Sequence, residues 1–367
     1  LTRVRKAGIL EACLTGGVVV KHSNWLLRIL LAIVLAAGAG ACGAGSGSST
    51  SSITADDDVS PADDDASPAD DDASPADDDV SPADDDISPA DDDSSPSDDD
   101  DTTRMVLVPA GSFEMGCEPA DQNCNVDEYP LHQVDMPDYY IDVYEVTNAS
   151  YAKFLNAHGN VCDGNPCAAS PHAGNDLGLY QSGTTWLVDA GYENRPVILV
   201  SWYGANDYCA SINRRLPTEA EREKAGKGGS DAYIYPWGNT WLDNAANYDG
   251  STNPYQAGPQ PWTTPVGYFD GTNHGGAFQT ANGASPYGAY DLVGNVWDWV
   301  SDWYDQNYYS ETPAGGWVNP QGPTTGADRV LKGGGWGSTP VSVRNSLRDS
   351  APPDSMLYYE GFRCARD

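Results

Sequence analysis

Residues 287–304 read YGAYDLVGNVWDWVSDWY. A glycine turn lies between two carboxylates, Asp291 and Asp298, placed seven residues apart. The turn can direct the carbonyls of Gly294 and Val296 to the same point. Calcium takes about six to eight oxygens and accepts such mixed ligands, so Asp291, Gly294, Val296 and Asp298 form a candidate calcium site. The competing reading is that Asp298 only caps the aromatic turn.

Outward from this stretch, residues 104–367 read as one domain. It holds ten of the eleven tryptophans and is dense in Gly, Asn, Tyr and Pro. Helix signals are few. Thr147 can cap NASYAKFLNAH, whose Tyr151, Phe154 and Leu155 have helical spacing, and Ser201 can cap WYGANDYCASI. In PTEAEREKAG, Thr218 and Glu221 form a capping box, with Gly226 expected at the helix end. Strands are expected in MVLVPAG, YYIDVYEVT, RPVILVS and RVLKGGGW. The remainder reads as long loop, which aromatic density, disulfides and ions would have to hold.

Before the domain, residues 55–101 repeat the heptad ADDDxSP and carry 22 aspartates. With these and Glu11 set aside, 31 of the 54 acidic residues remain, against 14 of the 19 basic ones, so the rest of the chain is still at −17. Such a chain repels nucleic acid, whose affinity rests on lysine and arginine meeting phosphates; that class is excluded. The repeat is no coiled coil, since it lacks an apolar seam and has a proline in nearly every unit. Like charges and prolines keep it solvated, an extended tether of about 140 Å at ~3.1 Å per residue. Loose calcium binding by the DDD clusters is the alternative.

The segment KHSNWLLRILLAIVLAAGAGAC explains the tether. Lys21 and Arg28 precede an apolar run from Ile29 to about Ala37, too short to cross a membrane and ordered like a secretory signal. Cys42 after Ala-Gly-Ala resembles a bacterial lipoprotein cleavage box, with Cys42 as the lipidated residue. The expected organisation is a signal region over 1–41, a disordered Gly/Ser and Asp-rich linker over 42–101, and the domain over 102–367. Residues 1 to about 17 match no part of a signal, as though the translation start were misassigned. The expected location is the cell envelope, lipid-anchored at the outer membrane, with a secreted form as the alternative. Cys13 and Cys42 aside, six cysteines remain, an even number that reads as disulfides in an oxidising compartment.

Nine motifs then fall in one order: LVPAGSFEMG, DVYEVTNASYAKFL, RPVILVSWYGANDYC, RRLPTEAEREKAG, YPWGN, TTPVG, YGAYDLVGNVWDWVSDWY, RVLKGGGW and EGFRCA. The series resembles the formylglycine-generating enzyme (sulfatase-modifying factor) family over essentially all of residues 104–366. The resemblance implies a C-type-lectin-like α+β fold with little regular secondary structure. It also implies a disulfide between Cys209 and Cys364, and assigns calcium to the positions of Asp291, Gly294, Val296 and Asp298, where the family has asparagine and glutamate in place of the two aspartates. A weaker second calcium site would begin at Asn247 and Tyr248, although residues 250–262 contain no acid to complete it.

The family's defining enzymes bind copper(I) through two thiolates spaced C-x4-C after a GGS turn and oxidise a substrate cysteine to formylglycine. Soft thiolates suit Cu(I). Here Gly335 replaces the turn serine, Ser338 stands at the first cysteine position and, by gapless count, Val343 at the second. Copper is therefore not expected. Cys162 and Cys167 copy the spacing within a turn-rich insertion near His172, and read as a local disulfide or, alternatively, a metal site. Cys117 and Cys124 bracket another turn and likewise read as a local disulfide. No G-x-S-x-G, H-E-x-x-H or P-loop is present.

Two functional classes compete. One is a lipid-anchored, non-catalytic module that binds an exported protein, peptide or glycan in the old substrate groove, lined by Trp336, Ser338, Arg344 and Arg348. The other is a family enzyme modifying an exported protein by metal-dependent oxidation. Arg344 and Arg348 have a plainer reading too, as partners of acidic loops.

Overall fold

The computed structural model describes residues 104–171, 177–229 and 232–367. All fall within one unit of the chain, Ala90–Asp367. The signal region, Cys13, Cys42, the ADDDxSP repeat and His172 lie outside the described residues.

In chain order the elements are β1 (Met105–Val108), β2 (Gly111–Met115), β3 (His132–Met136), β4 (Tyr139–Asp142), α1 (Asn148–His158), β5 (Leu179–Ser182), β6 (Thr185–Val188), α2 (Trp202–Ser211) and α3 (Glu219–Lys227). They continue with β7 (Trp297–Trp303), β8 (Trp317–Val318), β9 (Arg329–Lys332), β10 (Arg348–Ala351), β11 (Glu360–Phe362) and β12 (Ala365–Arg366). The sheets have the orders β1-β4-β12, β10-β9-β7-β11, β2-β3-β8 and β5-β6. The mixed α+β class, poor in regular structure, is as expected.

The stretch 287–304 supplies a turn and then the inner strand β7. This strand pairs antiparallel with β9 through Asp298↔Lys332 and Trp299↔Leu331, and parallel with β11 through Gly361↔Asp298. Trp299 is fully buried among Tyr151, Leu155, Tyr208 and Phe362, where the disulfides Cys162–Cys167 and Cys209–Cys364 also lie. The third bridge is Cys117–Cys124. All three expected pairings are present.

The helices start where their caps require. The hydroxyls of Thr147 and Ser201 accept from the backbone N–H groups of Ser150 and Gly204, and Thr218 and Glu221 form a reciprocal capping box. Two expectations need correction. Gly226 lies inside α3, which runs to Lys227 and ends on Gly228. Glycine is needed there because a Cβ would lie 2.3 Å from Asn345 Oδ1. The segment RPVILVS forms no strand; it makes only isolated bridges, Thr147↔Pro196 and Ala168↔Val200. Proline cannot donate to a ladder, and Leu199 sits at φ +61°, so the apolar run crosses the core as irregular chain.

Candidate functional site

The loop after β9 is fastened over the 291–296 turn. Gly294 N–H donates to Gly333 O (3.0 Å), and Trp336 N–H donates to Asn295 O (2.7 Å). Gly333 and Gly334 have φ of +91° and +77°. A Cβ on Gly334 would lie 2.4 Å from Ser342 O, 2.9 Å from Val343 Cγ1 and 3.4 Å from Ser338 Oγ. The chain thus brings Ser338 and Val343, 1% and 0% exposed, together around one glycine. These two side chains offer a hydroxyl and an isopropyl group, and no thiolate. Ser338 Oγ accepts from Gly335 N–H at 3.0 Å, a turn-closing bond.

All six cysteines among the described residues are in disulfides, so these donors do not fit Cu(I), which needs thiolates. The donor atoms of His158, Cys162 and Cys167 lie within 4.8 Å of one another, but both sulfurs are committed to the bridge.

The expected groove is corrected most sharply. Trp336, Ser338, Arg344 and Arg348 are all buried. Arg344 makes a bidentate pair with Glu128 (2.7 and 2.8 Å) and reaches Asp121 at 2.8 Å; the Cys117–Cys124 bridge closes the loop carrying Asp121. Arg348 forks onto Glu219 (2.7 and 3.0 Å) and lies over the Tyr309 ring at 4.1 Å. Burial alone would lower both guanidinium pKa values, but Glu128 and Asp121 hold Arg344, and Glu219 holds Arg348, above the usual range. Of the two arginine readings, pairing with acids is the one the structure has: Arg344 meets Asp121 and Glu128 of the loop region, as expected, whereas the partner of Arg348 is the first residue of α3. Trp336 packs edge-on to Trp262 and stacks near Tyr358.

Beneath the loop lies an ionic layer that sequence reasoning missed. Lys332 Nζ is 2.9 Å from Glu223 and 3.6 Å from Glu219, and Lys227 Nζ is 2.7 Å from Glu118 and 3.3 Å from Glu223. Burial would raise the Glu223 carboxyl, but the two lysines outweigh it and bring the pKa to about 2. Every residue of α3 is buried.

At the candidate cation site, Asp298 Oδ2 accepts from Arg222 Nε (2.7 Å) and Arg363 Nε (2.8 Å), whereas Asp298 Oδ1 is buried with no hydrogen-bond partner. Asp291 Oδ2 accepts from Gly267 N–H at 2.5 Å. Glu145 lies beneath, holding Asn295 Nδ2 at 2.6 Å and Val296 N–H at 3.2 Å. Burial, then the charges of Asp291 and Asp298, push the Glu145 carboxyl well up. Three buried acids face two arginines, and one oxygen is left unmet; Asp291 and Asp298 fit a cation ligand set. The second site does not fit. Asn247 Oδ1 accepts from Asn253 Nδ2 at 2.8 Å, and the Tyr248 carbonyl accepts from Gln256 Nε2. Side-chain amides already satisfy the two oxygens a cation would need.

The sulfatase-modifying factor enzyme 1-like domain matches residues 91–367, and the chain belongs to that family. It is 35% identical over 293 residues to the formylglycine-generating enzyme of Mus musculus, covering 72% of this chain and 75% of the enzyme. It is 29% identical to the inactive C-alpha-formylglycine-generating enzyme 2 of Bos taurus, over 72% of this chain and 88% of that protein. The structure of PvdO from Pseudomonas aeruginosa superposes with a TM-score of 0.53 at 25% identity, over 73% and 95% of the two chains.

Proposed function

We propose that this protein is a lipid-anchored, non-catalytic member of its family, a binding module for an exported protein, peptide or glycan at the cell envelope. The observation carrying this reading is that Ser338 and Val343, the residues a gapless count sets against the family's thiolate pair, pack buried around Gly334 and offer no thiolate. The bridging of all six domain cysteines supports it. Similarity to a protein named as inactive is consistent with it. Cys42 would carry the lipid, and the ADDDxSP segment would hold the domain off the membrane. A calcium ion held by Asp291, Gly294, Val296 and Asp298 would neutralise the buried acids and fix the turn under the loop; it has no reaction to assist.

The test is alkylation of the denatured, unreduced protein, followed by mass mapping and an assay of a cysteine-containing sulfatase-type peptide with copper(I) and oxygen. The expected result is no free domain thiol and no oxidised peptide. Formation of the aldehyde would establish the enzymatic alternative.

A further inference from the structure

A second candidate lies away from the glycine loop. A cleft of about 560 Å³ is lined by Asp163, Trp202, Tyr203, Asn206, Asp207, Trp303 and Arg329, a volume within the roughly 300–1,000 Å³ typical of small-ligand sites. Its parts come from three places. The first turns of α2 supply Trp202, Tyr203, Asn206 and Asp207, the paired ends of β7 and β9 supply Trp303 and Arg329, and the Cys162–Cys167 loop supplies Asp163.

The walls are prearranged. The Arg329 guanidinium is layered between the Trp202 and Trp303 rings, 3.7 and 3.5 Å from their centroids. Its Nη1 donates to Ser301 O at 2.6 Å, and Trp202 Nε1 donates to Val300 O at 2.8 Å. Tyr203 stands edge-on to Trp202, at 5.7 Å and 84°. Asn206 and Asp207 are joined only by a long 3.4 Å contact and are half-exposed, and Asp163 is exposed on its bridged loop.

This lining narrows the ligand. An aromatic cage for a cation needs open ring faces, and here a resident arginine covers the indole faces and repels a second positive charge. Asp163 and Asp207, in a domain at −17, disfavour a multiply charged anion. A purely apolar ligand would strand the carboxylates, amide and guanidinium without water. What remains is a neutral polyol carrying apolar C–H faces. Ring hydroxyls meet acceptors at Asp163 and Asp207, an amide at Asn206 and a donor at Arg329, while C–H faces meet Tyr203 and the indole edges.

We infer that this cleft binds a neutral sugar unit of a glycan. The inference rests on the binding-module reading and gives it a place and a ligand class. It moves the site from the buried loop of Ser338 and Arg344 to the far end of β7.

The test titrates the full-length protein with neutral trisaccharides of glucose, mannose and N-acetylglucosamine, following tryptophan fluorescence and heat. At least one is expected to bind saturably, with Kd in the roughly micromolar to millimolar range. N206A/D207A and Y203A, each checked by circular dichroism, should weaken it about tenfold or more; Y358A, beside the old groove, should not. Undiminished binding in a folded N206A/D207A protein overturns the cleft, yet leaves the binding-module reading intact. No binding by any trisaccharide also overturns the cleft. Copper-dependent oxidation of the cysteine peptide overturns the binding-module reading instead, whatever the cleft binds.

Discussion

Arg344 shows how a residue that looks made for a ligand can be absorbed by its own fold. It is fully buried, with Glu128 and Asp121 on its guanidinium. Replacing it by methionine leaves two buried carboxylates without their cation, a change that typically costs ~3–5 kcal/mol. We expect R344M to lose about that much in urea unfolding, and R344K to recover little, because a lysine cannot make the bidentate fork. Asp291 behaves differently. It sits at φ +53°, a conformation glycine adopts freely, so D291G should fold while removing the side-chain oxygens. Calcium is expected to raise the melting temperature of the wild type, a chelator to reverse the rise, and D291G to lose most of the shift; an identical shift in D291G would remove Asp291 from the ligand set.

At the scale of elements, α3 sets two rules against each other. Alanine is favoured over glycine inside a helix by about 1 kcal/mol, yet a Cβ at Gly226 would lie 2.3 Å from Asn345 Oδ1. The steric term wins, and G226A should destabilise by ~1–3 kcal/mol, whereas T218A should cost ~1 kcal/mol through the lost cap. A stabilised G226A would mean that Asn345 can move away. The same helix marks the limit of what sequence could say. Its start was legible, because a capping box is a local pattern. Its burial was not, since Lys227 and Glu223 find partners in Glu118 and Lys332, more than a hundred residues away in chain. Likewise the order of nine motifs gave the fold and the loss of the thiolate pair. The cleft residues escaped notice because Trp202, Trp303 and Arg329 converge only through strand pairing and the packing of α2.

For the whole molecule, the buried acids decide how stability changes with pH. Burial, reinforced by the Glu219 charge, raises Asp302 to about 7; burial raises Glu360 to about 7 and Asp349 to about 6. The folded state therefore keeps protons that the unfolded chain releases near pH 4. Their contribution is fully present below that point and is lost as pH rises through 6 to 7. Glu223, lowered to about 2, acts oppositely, but only below about 4.5. In chelator, the melting temperature should fall between pH 5 and pH 8, by about 2–4 °C for each kcal/mol lost. A flat or rising profile would show that these acids ionise at no cost.

The spacing of the disulfides also bears on how the molecule is assembled. Six cysteines can pair in more than a dozen ways, and only one of these is native. Two native pairs are separated by 7 and 5 residues, the third by 155. Short loops meet far sooner than long ones. Once Cys117–Cys124 and Cys162–Cys167 have closed, Cys209 and Cys364 are the two left to pair among the six cysteines of the described residues. The local bridges act as proofreaders: they withdraw the competing thiols before the distant pair, worth about 5 kcal/mol by loop closure, has to choose.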